Sequence, residues 1–312
     1  MHVKITNENE CHYGFQYKTG LNTLDKYFDK SGSCVAGGFY ITDLDNVDKF
    51  YYKGVWLRII EIPKGAKSVK DPDDVHGEKW RLDKIILKNK YPLYNLETIK
   101  KFNLKITNYY ITEVCKRGHI DILEWYLINN PSFKFSNQIL NETIKCGQIK
   151  TLEWCRERNL VPIDLPILDI GSAEGHLEVL VWLQKSGLPC KYSEMAMDDA
   201  SYYGHIDVLE WWLNSGLSLK YSEMALEHAS WMSNINVLAW WKNSGLPLKY
   251  SENVLNLAAE NGNIDVLTWW LHSGLELNYG SFIHNYNLYY HLDKNINKWF
   301  NNNKNSKVFG IS

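Results

Sequence analysis

The sequence predicts an α-solenoid of stacked helix pairs preceded by a small α+β domain. Three observations lead there: an in-frame repeat, a helical spacing of apolar residues inside it, and a non-repetitive head with strand-like runs. Six ungapped segments make the repeat: Gly118–Trp125, Gly147–Trp154, Gly175–Trp182, Gly204–Trp211, Ser233–Trp240 and Gly262–Trp269. Their first residues stand 29, 28, 29, 29 and 29 apart. A worn seventh copy is read at Asn295-Ile296-Asn297-Lys298-Trp299-Phe300. The repeat accounts for a tryptophan content of 13 in 312 residues.

Each unit reads as two helices. In the fourth, Ile206, Val208, Leu209, Trp212 and Leu213 recur at helical spacing and define a broad apolar stripe. Gly216 stops that helix, and a short loop leads to Ser222, expected as an N-cap with Glu223 against the helix dipole. The next helix is shorter and carries Leu226, Ala229 and Ser230. Small residues at this level (Gly171, Ala200, Ala229, Ala258) allow close helix approach. Such a pair cannot bury its apolar face alone, so neighbours must stack.

The unit resembles the ankyrin repeat, whose consensus runs T-P-L-H-x-A-A-x-x-G-H-x-x-[IV]-V-x-x-L-L-x-x-G. Leu226, Ala229-Ser230, Gly204-His205, Val208-Leu209, Trp212-Leu213 and Gly216 stand at its positions over about residues 108–300. Thr-Pro is replaced by pairs such as Glu223-Met224, and the period is 28–29 where ankyrin repeats have about 33. The missing residues fall where ankyrin repeats project a β-hairpin, so that hairpin is expected to shrink to a tight turn. The Gly-His-[IL]-[DE]-[VI]-Leu-x-Trp unit is also similar to that of the ankyrin-like proteins of mimivirus-type giant viruses. The first Trp of each unit (Trp125, Trp154, Trp182, Trp211, Trp240, Trp269) is expected to form a ladder packed against the adjacent unit. His119, His176 and His205 are expected to order the inter-helix turn by hydrogen bonding.

Residues 1–107 form the predicted head, 108–300 the array with a degenerate cap, and 301–312 a polar tail. Expected strands are Val3–Thr6, Gly38–Thr42, Val55–Ile62 and Ile85–Leu87; expected short helices are Leu21–Phe28 and Val47–Tyr52. Pro63-Lys64-Gly65 and Asp71-Pro72-Asp73-Asp74 read as turns. The head carries 18 basic and 14 acidic residues, the rest 16 and 22, for charges of +4 and −6.

A total formal charge of −2 argues against a dedicated nucleic-acid binder. No apolar run approaches the roughly 18 residues of a membrane span, and the start lacks a signal-peptide core. Six cysteines without a CxxC pair read as reduced thiols of an intracellular protein. Gly37-Gly38-Phe39-Tyr40-Ile41-Thr42-Asp43 looks faintly like the glycine-tyrosine strand of ADP-ribosyltransferases, with His12 and Glu61 as nominees; this supplies an alternative in which the head is an enzyme targeted by the array. The aspartates around Asp43–Asp48 and Asp71–Asp74 lack the Gly and Glu of calcium loops. No metal site and no cofactor are expected.

By the ankyrin resemblance, a partner protein binds the concave face of the shorter helices. The outward positions there are Asp199, Tyr202, Tyr203, His228, Trp231, Met232, Glu260 and Asn261, with Tyr221 from the loop row Lys191-Tyr192, Lys220-Tyr221 and Lys249-Tyr250 beside them. Tyr, Trp and Met are enriched at interface centres. The expected function is a non-catalytic scaffold for protein–protein interaction. The giant-virus resemblance adds a host protein as partner and the host cytoplasm as location.

Overall fold

The structure, a computed structural model, describes residues 1–31, 37–71, 79–251, 253–276, 282 and 293–303. The chain divides into two compact units, Met1–Phe133 and Lys134–Ser312, so the first helix pair groups with the head.

The first unit holds a seven-stranded antiparallel sheet in the order β4-β9-β6-β1-β5-β8-β7. The strands are β1 (His2–Thr6), β4 (Gly20–Thr23), β5 (Phe39–Asp43), β6 (Trp56–Glu61), β7 (Ser68–Lys70), β8 (Lys79–Leu82) and β9 (Lys84–Pro92); β2 (Cys11–His12) and β3 (Phe15–Gln16) make a separate hairpin. One sheet face carries a core of Tyr17, Phe39, Ile41, Ile60, Leu82, Ile85 and Leu87. A 3₁₀ segment, Leu44–Lys53, packs on β1 and buries Val47 and Tyr51. Helix α1 (Leu96–Phe102) starts where Asn95 Oδ1 accepts the Thr98 N–H. The pair α2 (Asn108–Arg117) and α3 (Ile120–Asn129) follows. The Tyr110 hydroxyl donates to Leu93 O at 2.6 Å, and its ring lies 5.1 Å from Tyr51 and 4.9 Å from Tyr94.

The expected strands are present, and Val47–Tyr52 lies inside the 3₁₀ segment. The helix expected over Leu21–Phe28 is absent. Gly20–Thr23 instead pairs with β9, leaving Leu21 51% exposed and Asn22 1% exposed. Asn22 bridges the Lys18 and Gly20 carbonyls at 2.7 and 2.9 Å. The open edge of a nine-residue strand thus outcompetes local helical spacing. The turn expected at Asp71–Asp74 lies, beyond Asp71, outside the described residues, as does the tail beyond Asn303.

In the second unit two series of helices alternate, one of 7–9 residues, here the short series, and one of 9–10 residues, here the long series. The short series is α4 (Asn137–Lys145), α6 (Ile167–Ala173), α8 (Met195–Tyr203), α10 (Met224–Trp231) and α12 (Asn253–Glu260). The long series is α5 (Ile149–Glu157), α7 (Leu177–Ser186), α9 (Ile206–Asn214), α11 (Ile235–Asn243), α13 (Ile264–His272) and α14 (Lys294–Asn303). Stacking runs chiefly through the short series, α6 on α8, α8 on α10 and α10 on α12. Fully buried Ala196, Ala200, Ala225, Ala229 and Ala258 permit that approach. A Cβ on Gly171 would meet Leu180 Cδ1 at 2.8 Å.

The turn into each long helix uses a left-handed residue: Gly147, Gly175, Gly204 and Gly262 at φ 63–84°, and Ser233 at 62°. The N-cap that follows does not cap its own helix. It reaches back to the end of the short helix of the preceding unit. His176 Nε2 meets Lys145 O at 2.8 Å, and His205 Nε2 meets Ala173 O at 3.1 Å. Asn234 donates to Tyr202 O at 2.6 Å and Asn263 to Trp231 O at 2.7 Å. These side chains therefore satisfy carbonyls left open at a helix C-terminus, and they tie units together rather than closing a turn within one.

Candidate functional site

The face of the short helices gathers an exposed aromatic cluster on α8 and α10. Tyr202 is its hub, with ring centroids 4.7 Å from Tyr203, 5.2 Å from His228 and 6.0 Å from Trp231, all edge-to-face. Alanines on the opposite side of each helix lock it into the stack, which forces the large residues outward. Tyr203 is 58%, Trp231 41% and Met232 45% exposed, three large apolar side chains on one surface. His228 Nδ1 is buried without a hydrogen-bond partner among the described residues. Asp199 lies within electrostatic reach of His228; burial raises its pKa, and the imidazole partly opposes that rise.

Six of the predicted residues therefore share one surface: Asp199, Tyr202, Tyr203, His228, Trp231 and Met232. Glu260 and Asn261 are exposed at the end of α12, one unit further on. Tyr221 does not belong to this surface. It is 6% exposed; its hydroxyl donates to Pro247 O at 2.8 Å and its ring lies 4.7 Å from Trp241. The other two tyrosines of the row, and Lys220 and Lys249, behave alike. Tyr192 and Tyr250 donate to Ser218 O and Glu276 O, while Lys220 and Lys249 donate to the carbonyls of Tyr192 and Tyr221 and sit 4.5 Å over those rings. The row is mortar between successive units, because a loop this short places its aromatic side chain over the next helix pair.

Among the described residues the ladder tryptophans are half-buried, except Trp154 at 5% exposure. Three long-helix indoles of the Trp ladder position donate to the preceding unit: Trp182 to Glu153 Oε2 and Trp240 to Glu210 Oε2 at 2.7 Å, Trp299 to Thr268 Oγ1 at 2.9 Å. In each case the acceptor immediately precedes the previous unit's ladder Trp. The deepest tryptophans are the following ones, Trp212, Trp241 and Trp270, no more than 1% exposed. Their indoles donate to Ser172, Ser201 and Ser230 Oγ, each at 2.9 Å and each 40 residues back. The Trp-Trp doublet was the signal for them.

A second polar clamp joins the short helices. Ser193 donates to Asp169 through N–H and hydroxyl at 2.8 and 2.9 Å, and Ser222 to Asp198 likewise. Ser222 Oγ also accepts the Met224 N–H at 3.1 Å; the N-cap of α10 is Glu223, without a side-chain cap bond, so Ser222 acts one residue ahead of the expected cap. Burial raises the Asp198 pKa, and its Ser222 bonds pull the other way.

In the head, Glu61 pairs with Lys88 at 2.8 Å at the end of β6, while His12 sits on β2 with Nε2 accepting the Asn7 N–H. Asp48 pairs with Lys105 and Asp71 with Lys79, at 2.8 and 2.9 Å. No group of three metal-ligating side chains occurs among the described residues. No helix there is long and apolar enough to cross a membrane.

Similarity to known proteins accords with this geometry. A protein described as ankyrin repeat protein R868 of Acanthamoeba polyphaga mimivirus is 33% identical over 135 residues, covering 41% of this chain and 67% of that protein. The chain belongs to the mimivirus ankyrin repeat proteins. R229 of the same virus, also described as an ankyrin repeat protein, is 42% identical over 93 residues, 28% of this chain and 30% of its own length. Against R229 and R896 the chain spans about a third of the relative's length. No protein-family model matches. Among solved structures, the ankyrin repeat domain of human ASB11 aligns at 14% identity and a TM-score of 0.43, over 53% of this chain and 83% of that one. This ankyrin repeat protein stacks its helix pairs on a unit of 28–29 residues.

Proposed function

We propose that the protein is a non-catalytic scaffold whose α8–α10 face captures another protein, and that the partner is a host protein met in the host cytoplasm. The exposed cluster of Tyr203, Trp231 and Met232 around Tyr202 carries this reading. Such a cluster suits an apolar side chain of the partner, and Asp199 with the unsatisfied His228 nitrogen suits a polar group beside it. The family membership supports a repeat scaffold, for which protein binding is the ordinary use.

The test is capture from host lysate by the full chain and by Tyr203→Ala and Trp231→Ala variants. Tyr203 is 58% and Trp231 41% exposed, so the variants stay folded, with melting temperatures lowered by no more than a few degrees. They lose partner affinity by about tenfold or more, as expected for interface anchors. Variants that unfold, or that capture the same partner undiminished, sink the proposal.

A further inference from the structure

One face of the head's sheet carries two buried cations, and only one of them is neutralised. Arg58 on β6 meets Glu10 at 2.8 Å through Nε and donates to Thr19 Oγ1 and Lys88 O. Lys4, its cross-strand partner on β1, is 7% exposed. It donates to Tyr40 O at 2.8 Å and lies 5.0 Å from the Tyr17 ring centre. Among the described residues no carboxylate stands within ion-pair distance of it, and two of its three N–H groups have no acceptor. A buried ammonium in that condition is strongly disfavoured.

Lys4 forms part of the wall of an open cavity of about 200 Å³. Phe15, Tyr17 and Phe39 supply its aromatic surface, with Phe15 edge-to-face on the other two at 5.1 and 4.8 Å. Lys26, Lys53 and Lys79 add positive charge to the wall, against Asp25 and the Asp71 that holds Lys79. His12, also on the wall, stays neutral: its Nε2 accepts the Asn7 N–H, and burial with the nearby Lys4 and Lys53 lowers its pKa to about 4. The cavity is aromatic, basic and short of anions.

We propose that this cavity binds a single-ring aromatic carboxylate, its carboxylate on Lys4 Nζ and its ring among Phe15, Tyr17 and Phe39. The size agrees: an engineered cavity of about 150 Å³ accepts benzene, and about 200 Å³ leaves room for a carboxylate as well. The free Lys4 donors match the two carboxylate oxygens. Burial and Lys53 lower the Lys4 pKa to about 7, so an arriving anion also draws a proton onto it. This site is independent of the α8–α10 face.

The test titrates the full chain with benzoate, 4-hydroxybenzoate and nicotinate by calorimetry, with benzamide as the neutral isostere. At least one carboxylate binds at pH 6.5, benzamide binds about tenfold or more weakly, and Lys4→Met loses about tenfold or more. A second readout does not depend on the variant: in the ¹³C,¹⁵N-labelled chain, the Lys4 side-chain ¹³Cε resonance moves on adding the bound carboxylate. Absence of binding for all three acids, equal affinity for benzamide, undiminished binding by folded Lys4→Met, or an unmoved Lys4 resonance overturns the proposal.

Discussion

Ser201 serves two helices at once. Its hydroxyl donates to Met197 O at 2.7 Å in its own helix and accepts the Trp241 indole N–H at 2.9 Å from the next unit. Both residues are fully buried, so no water can replace either bond. Ser201→Ala strands the indole N–H and lowers stability by about 1–3 kcal/mol in urea unfolding. Combined with Trp241→Phe, which removes the donor, its effect falls well short of the sum of the two single changes; additivity would refute the pairing. Lys4 gives a prediction of the opposite sign. Its folded pKa of about 7 lies below the ordinary 10.5, so the unfolded chain binds more protons between those values and stability rises with pH across that window. Lys4→Met removes the burden. Its melting temperature exceeds the parent's most at pH 6–7, and the difference shrinks toward pH 10. A constant difference would contradict the assignment.

At the scale of elements, the left-handed turn is the exacting feature. A Cβ on Gly175 would meet the His205 ring at 2.6 Å, so that glycine supplies both backbone freedom and room for the next unit's capping side chain. Ser233 holds the same turn at φ 62°. Relief of left-handed strain, offset by the flexibility of glycine, makes Ser233→Gly more stable by about 0.5–1 kcal/mol by chemical denaturation; a loss of stability would show that the Ser233 side chain contributes contacts. The long helices were legible because Gly, the apolar triplet and Trp recur in register. The α8–α10 cluster was legible for a related reason: once Ala200 and Ala229 face the stack, Tyr203 and Trp231 must face outward. Tyr221 was not, since its burial depends on a loop of the following unit. Strand β4 was missed because its partner, β9, lies more than sixty residues away. The Lys4 cavity was equally hidden, for Val3-Lys4-Ile5 reads as ordinary strand alternation until the hairpin β2–β3 is placed.

For the molecule as a whole, stability in the second unit is a sum over neighbours. Ile296, Trp299 and Phe300 on α14 are buried, each contributing about 2 kcal/mol of gross burial. Deleting residues 294–312 should lower the melting temperature and speed amide exchange in α12 and α13, while exchange in β1, β6 and β9 stays as it was. Uniform acceleration throughout the chain would refute nearest-neighbour coupling.

The forty-residue relay between serine hydroxyl and indole also bears on how such a chain can lengthen. Ser172, Ser201 and Ser230 each serve a tryptophan in the following unit, whereas Ala259, at the next position of that series, offers no side-chain acceptor. An internal duplication of 29 residues taken from the middle brings a hydroxyl and an indole already in phase. The same duplication taken across Ala259 brings an alanine where an indole needs oxygen. Growth by copying is therefore favoured from the units that already carry both the serine and the indole.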